Sequence, residues 1–326
     1  MSLPVLGDQE YALREVPYQE YAKKATKNFK TPRHEGISNL GKPSWLKIRP
    51  PTQEYHNVKQ KLSGLGLVTV CQESHCPNMS ECWSGGTATF MVLGDTCTRG
   101  CRFCSVPARG VPDAPDSEEP QKLLQAVQEM QLEYVVITCV DRDDLPDGGA
   151  AHLAACVRAI KEYDDSILVE VLTGDFQGNQ EQLHIVVDAG VDVLAHNVET
   201  VPRLQRRVRD PRANYAQSLQ VLINAKKRNS QVKTKTSLMV GLGETREELS
   251  EVMNDLRTIR CDIITFGQYL RPSTWHLPVE YYMPPEEFKE LEEEARSKGF
   301  LYCAAGPFVR SSYKAGELFL QGVLNT

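Results

Sequence analysis

The sequence has no apolar run approaching the roughly 20 residues that cross a bilayer, so nothing in it calls for a membrane. It also lacks a basic excess: 37 Lys and Arg stand against 43 Asp and Glu, a formal net charge of -6. A nucleic-acid face is argued against, because such a face shows itself as clustered positive charge. The opening stretch "MSLPVLGDQEYALREVPYQEY" has neither the apolar core of a secretory signal nor the arginine-rich, acid-poor character of a transit peptide. A cytoplasmic protein is expected on that ground.

Closed zinc patterns are missing too. Structural zinc takes four side chains, commonly as two C-x2-C hairpins, and no such pair of hairpins occurs here. Yet there are 10 cysteines, and structural disulfides are rare in a reducing compartment. Six of them crowd into one stretch as two trios: Cys71, Cys76 and Cys82 in "CQESHCPNMSECW", and Cys97, Cys101 and Cys104 in "CTRGCRFC". The remaining four, Cys139, Cys156, Cys261 and Cys303, sit singly in apolar stretches and read as small buried side chains.

The rest of the chain alternates. Apolar, β-branched runs at 89–95, 133–140, 166–172, 191–197, 232–240 and 262–268 read as strands, and segments of helical period at 119–130, 149–163 and 245–259 lie between them. Near-continuous apolar strands separated by amphipathic helices imply a parallel sheet covered by helices. Six such units are too few for a complete eightfold barrel, so an open, partial barrel or a doubly wound sheet is expected. Polar loops follow the strands, where function sits in parallel α/β folds. Among them, "DRDDLPDGG" carries Asp141, Asp143, Asp144 and Asp147, read either as a functional loop or as a solvated one with Asp147 capping the next helix. "RLQRRVR" (203–209) reads first as a solvated helix face and second as a docking site for an acidic partner.

A [4Fe-4S] cube takes one thiolate per iron, so the trio C-x3-C-x2-C leaves one iron with an open coordination site. At these residues the chain resembles the radical S-adenosylmethionine superfamily. That resemblance implies a partial (β/α)6 barrel, a cube held by Cys97, Cys101 and Cys104, and S-adenosylmethionine on the fourth iron. It places Phe103 beside the adenine, Asn197 and Glu199 on ribose and methionine polar groups, and Thr138 and Asp141 as further contacts. In the same way Gly241 of "GLGE" falls at the backbone turn next to the adenine.

With both trios, "KPSWLKIRPP", "ITCVDRDDLPDGGA", "NVETVPRL", "SLMVGLGET" and "GPFVRSSYKA", the chain is similar to the lipoyl synthases over about residues 40–315. That likeness implies a second [4Fe-4S] cube on Cys71, Cys76, Cys82 and Ser312 of "RSSY", with Ser311 the alternative ligand; Arg310 beside the serine reads either as steadying the cube's charge or as a surface arginine. It implies insertion of two sulfur atoms into a protein-bound octanoyl chain, with the second cube consumed as sulfur donor. An oxygen ligand suits a soft iron-sulfur cube less well than a thiolate, so the Ser312 bond is the one expected to break first. The partners implied are octanoylated lipoyl domains of 2-oxoacid dehydrogenase complexes and the glycine cleavage H protein, a ferredoxin or flavodoxin-type electron donor, and an iron-sulfur carrier protein. The expected organisation is an N-terminal extension at 1–85 carrying the second trio, a barrel at 86–280, and a C-terminal helix and tail at 281–326. Two rival readings have sequence marks of their own. A ferredoxin-like carrier would close each cube with a fourth cysteine, and a zinc-binding interaction module would show paired C-x2-C hairpins.

Overall fold

The computed structural model describes residues 42–46, 56, 60, 68–69, 89–108 and 111–312. Cys71, Cys76 and Cys82 lie outside the described residues, as does everything beyond Ser312. One eight-stranded sheet runs in sequence order, β1 (Val68–Thr69), β2 (Thr89–Val92), β3 (Tyr134–Cys139), β4 (Leu168–Leu172), β5 (Val193–Ala195), β6 (Lys233–Val240), β7 (Ile263–Gln268) and β8 (Tyr302–Gly306). β1 pairs antiparallel with β2, and every later neighbour is parallel. Parallel strands laid down in unbroken order mean that every crossover steps the same way, which is the winding of a barrel.

Helices α1 (Glu119–Met130), α2 (Ala150–Tyr163), α3 (Gln180–Val187), α4 (Tyr215–Arg228), α5 (Arg246–Thr258) and α6 (Pro285–Ser297) carry the crossovers. Their starts are written locally. "TREE" forms a capping box in which Thr245 and Glu248 satisfy each other's backbone N–H groups. Asn214 and Asn179 cap α4 and α3. The Asp147 carboxylate accepts from the N–H groups of Gly149 (3.0 Å) and Ala151 (2.9 Å) at the start of α2, as a cap there should.

The core falls into two halves. Residues of β2–β5 pack with α1–α3 around Phe90, Ile137 and Leu153, and residues of β6–β8 pack with α4–α6 around Leu238, Phe266 and Leu291. Strand β2 is buried along its whole length, as the unbroken apolar run requires. The six strands read from the sequence are all present. A seventh parallel strand, β8, follows α6 and pairs with β7. Its sequence, "YCAAG", has no β-branched residue, so it gives little strand signal. Register brings the strand ends level: Val92 lies opposite Cys139, Thr138 opposite Leu172, and Leu172 opposite Ala195. The loops that follow these ends therefore share one rim.

Candidate functional site: a cysteine-walled cleft at the strand ends

The cysteine loop leaves β2 and is fastened by backbone bonds to its neighbours. Thr98 N–H and Oγ1 both donate to Asp141 O (3.0 and 2.8 Å), and Arg102 N–H donates to Val208 O at 2.8 Å. Cys97 N–H donates to Pro107 O at 2.8 Å, and Leu277 N–H donates to Arg102 O at 3.2 Å. His276 Nε2 donates to Cys104 O (2.9 Å), which leaves Nδ1 to accept from Ser273 Oγ (2.8 Å). Two sulfurs already accept backbone N–H groups: Cys97 Sγ from Arg99 (3.4 Å) and Cys101 Sγ from Asp210 (3.3 Å).

These thiols form one wall of a cleft of about 870 Å³, within the ordinary range for a small-molecule site. Phe103, Thr138, Asp141, Asn197, Glu199, Ser311 and Ser312 line the same cleft. Of the described residues that the family resemblance assigns to a cluster or to S-adenosylmethionine, Gly241 alone is not on the lining. It sits at φ +99, and a Cβ there would stand 2.3 Å from Gln268 Nε2 and 2.4 Å from Tyr281 O. The Glu244 carboxylate closes that turn by accepting the N–H groups of Gly241 and Leu242. Glycine is thus required by the backbone and its neighbours.

Burial pushes the Cys101 and Cys104 thiols up to about 12 and raises Cys97 as well, so the bare protein carries neutral thiols. Burial also lifts Asp141 to about 6. Glu199 is raised by burial and holds a left-handed backbone at φ 67, a strained conformation for a residue with a side chain. It is kept there by pairing with β6, through Glu199 N–H to Ser237 O (3.1 Å) and Met239 N–H to Glu199 O (2.9 Å). Beside it, Asn197 Oδ1 is buried without a hydrogen-bond partner among the described residues. An orphaned acceptor in a cleft is a place prepared for a donor on a ligand.

A buried arginine, Arg209, also reaches the cleft. Its Nη1 donates to Ser218 Oγ at 2.7 Å, and Ser218 Oγ lies 3.0 Å from His196 Nε2, whose Nδ1 in turn donates to Thr173 O at 2.9 Å. Burial holds His196 at about 4, so it is neutral and its Nε2 accepts from the serine. The run "RLQRRVR" is therefore not a solvated face. Arg203 pairs with Glu248, Arg207 pairs with Glu280 and Arg209 is buried, leaving only Arg206 exposed. In the acidic run, Asp143 pairs with Arg99 and Asp144 with Arg142. At the C-terminal side, Ser312 Oγ accepts from Thr89 Oγ1 at 2.9 Å.

Three of the single cysteines, Cys156, Cys261 and Cys303, are buried as expected, whereas Cys139 is half-buried at the end of β3 and on the cleft lining. Glu119, His152 and Cys156 cluster between α1 and α2, but Glu119 Oε2 is already taken by Leu93 N–H (2.9 Å) and His152 (2.6 Å). That group is a satisfied pair beside a thiol.

Residues 91–256 match the model of the radical SAM superfamily. The chain is 53% identical to the mitochondrial lipoyl synthase of Eremothecium gossypii over 287 residues, covering 86% of this chain and 78% of that one. It is 55% identical to chloroplastic lipoyl synthase 1 of Populus trichocarpa over 289 residues, covering 87% and 77%. The chain belongs to the lipoyl synthase family. Among solved structures it is similar in fold to the FeFe-hydrogenase maturase HydG from Carboxydothermus hydrogenoformans, at 14% identity and a TM-score of 0.53 over 83% of this chain and 78% of that one. A similar likeness, at 10% identity and a TM-score of 0.53 over 81% and 55%, holds for Streptococcus suis SuiB bound to its precursor peptide.

Membership of the lipoyl synthase family brings with it a [4Fe-4S] cluster and S-adenosylmethionine as cofactors, and a protein-bound octanoyl substrate. The donor set fits the cluster: three thiols on one cleft wall, N–H groups aimed at sulfur, and an unpaired acceptor next to them. One expectation is corrected. The relatives carry mitochondrial and chloroplastic names, which overturns the cytoplasmic reading drawn from the composition of the first residues. The reading of the cysteines does not fall with it, because all seven described cysteines are free thiols.

Proposed function

We propose that this chain inserts two sulfur atoms, at C6 and C8, into an octanoyl group carried on a lysine of a partner protein, giving lipoyl-lysine. The observation that carries the reading is the meeting of Cys97, Cys101, Cys104 and Ser312 in one cleft, although Ser312 lies more than two hundred residues further along the chain. When bound, the cluster and S-adenosylmethionine supply a carbon radical able to remove hydrogen from an unactivated carbon.

The chain's own residues do the rest. Cys97, Cys101 and Cys104 hold the first cube, with the backbone N–H groups of Arg99 and Asp210 stabilising thiolate charge. Asn197 and Glu199 would receive the polar groups of S-adenosylmethionine, Phe103 would flank its adenine, and Thr138 and Asp141 would be further contacts. The Arg209 cation suits its carboxylate. Met91, Leu172, Leu238 and Val309 give the cleft apolar walls that suit an acyl chain and exclude water from the radical step.

Cys71, Cys76, Cys82 and Ser312 hold the second cube, the sulfur donor, with Arg310 beside it. In this reading residues 1–85 bring the second trio, 86–280 carry six of the barrel's parallel strands, and 281–326 add β8 and return the "RSSY" serine to the strand ends. The substrates are octanoylated lipoyl domains of 2-oxoacid dehydrogenase complexes and the H protein, reduction comes from a ferredoxin or flavodoxin-type donor, and an iron-sulfur carrier rebuilds the second cube. Anaerobic reconstitution tests the cofactor set: about eight irons per chain are expected from two cubes, and tightly bound zinc in their place would sink it.

A further inference from the structure

Charged side chains from four successive strand-end loops form a chain of ion pairs that begins and ends on the cysteine loop. Arg99, 3% exposed, donates through Nε and Nη2 to Asp143 at 2.8 Å each, and through Nη1 and Nη2 to Asp175 at 2.8 and 2.7 Å. Asp143 also takes Arg212 Nη1 at 3.0 Å. Arg212 Nε donates to Asp210 Oδ1 at 2.8 Å, and Asp210 Oδ2 accepts from Gly100 N–H at 2.9 Å. Arg212 Nη2 donates to Thr98 O at 2.8 Å. The path Arg99, Asp143, Arg212, Asp210, Gly100 thus closes on the residue next to its start, with Asp175 as a second anchor.

The charges are fixed. Burial alone would lower the Arg99 guanidinium, but Asp143 and Asp175 outweigh it and raise it. Burial alone would raise Asp175, yet the Arg99 hydrogen bonds hold it at about 2. A two-sided fork of this kind is specific to arginine. No sulfur takes part in the ring, so it can stand before any cluster is bound.

We propose that this ring holds the cysteine loop in its ligand-presenting shape in the metal-free protein, with Arg99 as the positioning residue. The inference rests on the reading of Cys97, Cys101 and Cys104 as cluster ligands. It departs from the common case in which a metal site takes shape only as the metal arrives.

The test is amide hydrogen exchange on the full chain stripped of iron by anaerobic chelation. The reporters are the N–H groups of Thr98, Gly100 and Arg102, which donate to Asp141 O, Asp210 Oδ2 and Val208 O. They are expected to be protected in the metal-free wild type. Arg99→Lys keeps the charge but not the two forks, and should lower that protection at least about tenfold while amides of β6 and β7 are unchanged. Iron uptake should slow in the same samples. If Arg99→Lys loses β6 and β7 protection as well, Arg212→Gln, at a half-exposed position, carries the test in its place with the same expected loss at Gly100. Wild-type loop amides exchanging as fast as an unstructured peptide, or a folded variant with wild-type protection, would overturn the proposal. A wild type that protects the loop but takes up no iron would support the ring and remove the cluster assignment.

Discussion

Strand β4 and the loop that follows it each carry one member of a buried ion cluster, and the two clusters differ in what they hold. Within the strand, Glu170 accepts from Lys235 Nζ of β6 at 2.8 Å on both oxygens, and from Tyr134 OH of β3 at 2.5 Å. All three partners sit on strands, so this cluster ties rigid elements already fixed by backbone ladders. Just past the strand end, Asp175 pairs with Arg99, and every partner there sits on a loop. In the first case ions fill a barrel interior. In the second they tie down a segment that has no ladder of its own, the loop whose cysteines are proposed as cluster ligands.

The sharpest way to break the comparison is to remove a proposed cluster ligand from the loop. Cys101→Ala should abolish cleavage of S-adenosylmethionine altogether while the melting temperature of the metal-free chain stays near wild type, because the fold rests on the strands. Cleavage assays and calorimetry on the same sample decide it. A large fall in melting temperature would mean that the loop carries the fold.

Next in size is the strand cluster. Lys235→Met leaves Glu170 buried and uncompensated, and should cost about 3–5 kcal/mol in denaturant unfolding. The double variant Lys235→Met, Glu170→Leu should recover most of it, since an apolar pair of similar volume replaces both ions. If the single variant unfolds like wild type, the barrel interior does not depend on that pair.

A third effect separates the regions by pH. Thiols raised by burial bind a cluster only as thiolates, so binding releases protons and affinity for the cluster rises with pH. The rise should reach up to about tenfold per pH unit for each proton released, at all pH values below the raised thiol values of about 12. Anaerobic iron titrations at several pH values measure it, and a flat profile would contradict the neutral-thiol state. The smallest expected effect is at Asn197. Asn197→Ala removes one acceptor and should weaken S-adenosylmethionine binding by roughly 1 kcal/mol, about fivefold, in equilibrium binding to the reconstituted protein.

The same contrast decides how much could be read from the sequence. Strands announced themselves where β-branched residues ran together, as in "YVVITC" of β3, while β8 escaped because alanine and glycine replace them. The cysteine loop was legible from spacing alone, since three thiols in eight residues are a local pattern. Its clamp was not, because Arg99 and Asp175 lie 76 positions apart and nothing near either one marks the other. Arg209 was misjudged for a related reason. An arginine-rich run looks solvated, and only the fold reveals that Ser218 and Gln205 wait inside for one of its members. Asn197 and Glu199 were proposed through family likeness alone, and the orphaned Oδ1 of Asn197 is a feature that supports the proposal.

The central claim is that one cleft joins radical generation to sulfur insertion, and it is tested most directly by mass analysis of a single turnover. An octanoylated lipoyl-domain lysine is incubated anaerobically with reconstituted protein, S-adenosylmethionine and a chemical reductant, alongside Ser312→Ala. The account predicts two sulfur atoms added to the lysine by wild type, and 5'-deoxyadenosine with little or no sulfur added by Ser312→Ala. Cleavage of S-adenosylmethionine by the wild type with no carbon–sulfur bond formed, or full insertion by Ser312→Ala, would contradict it.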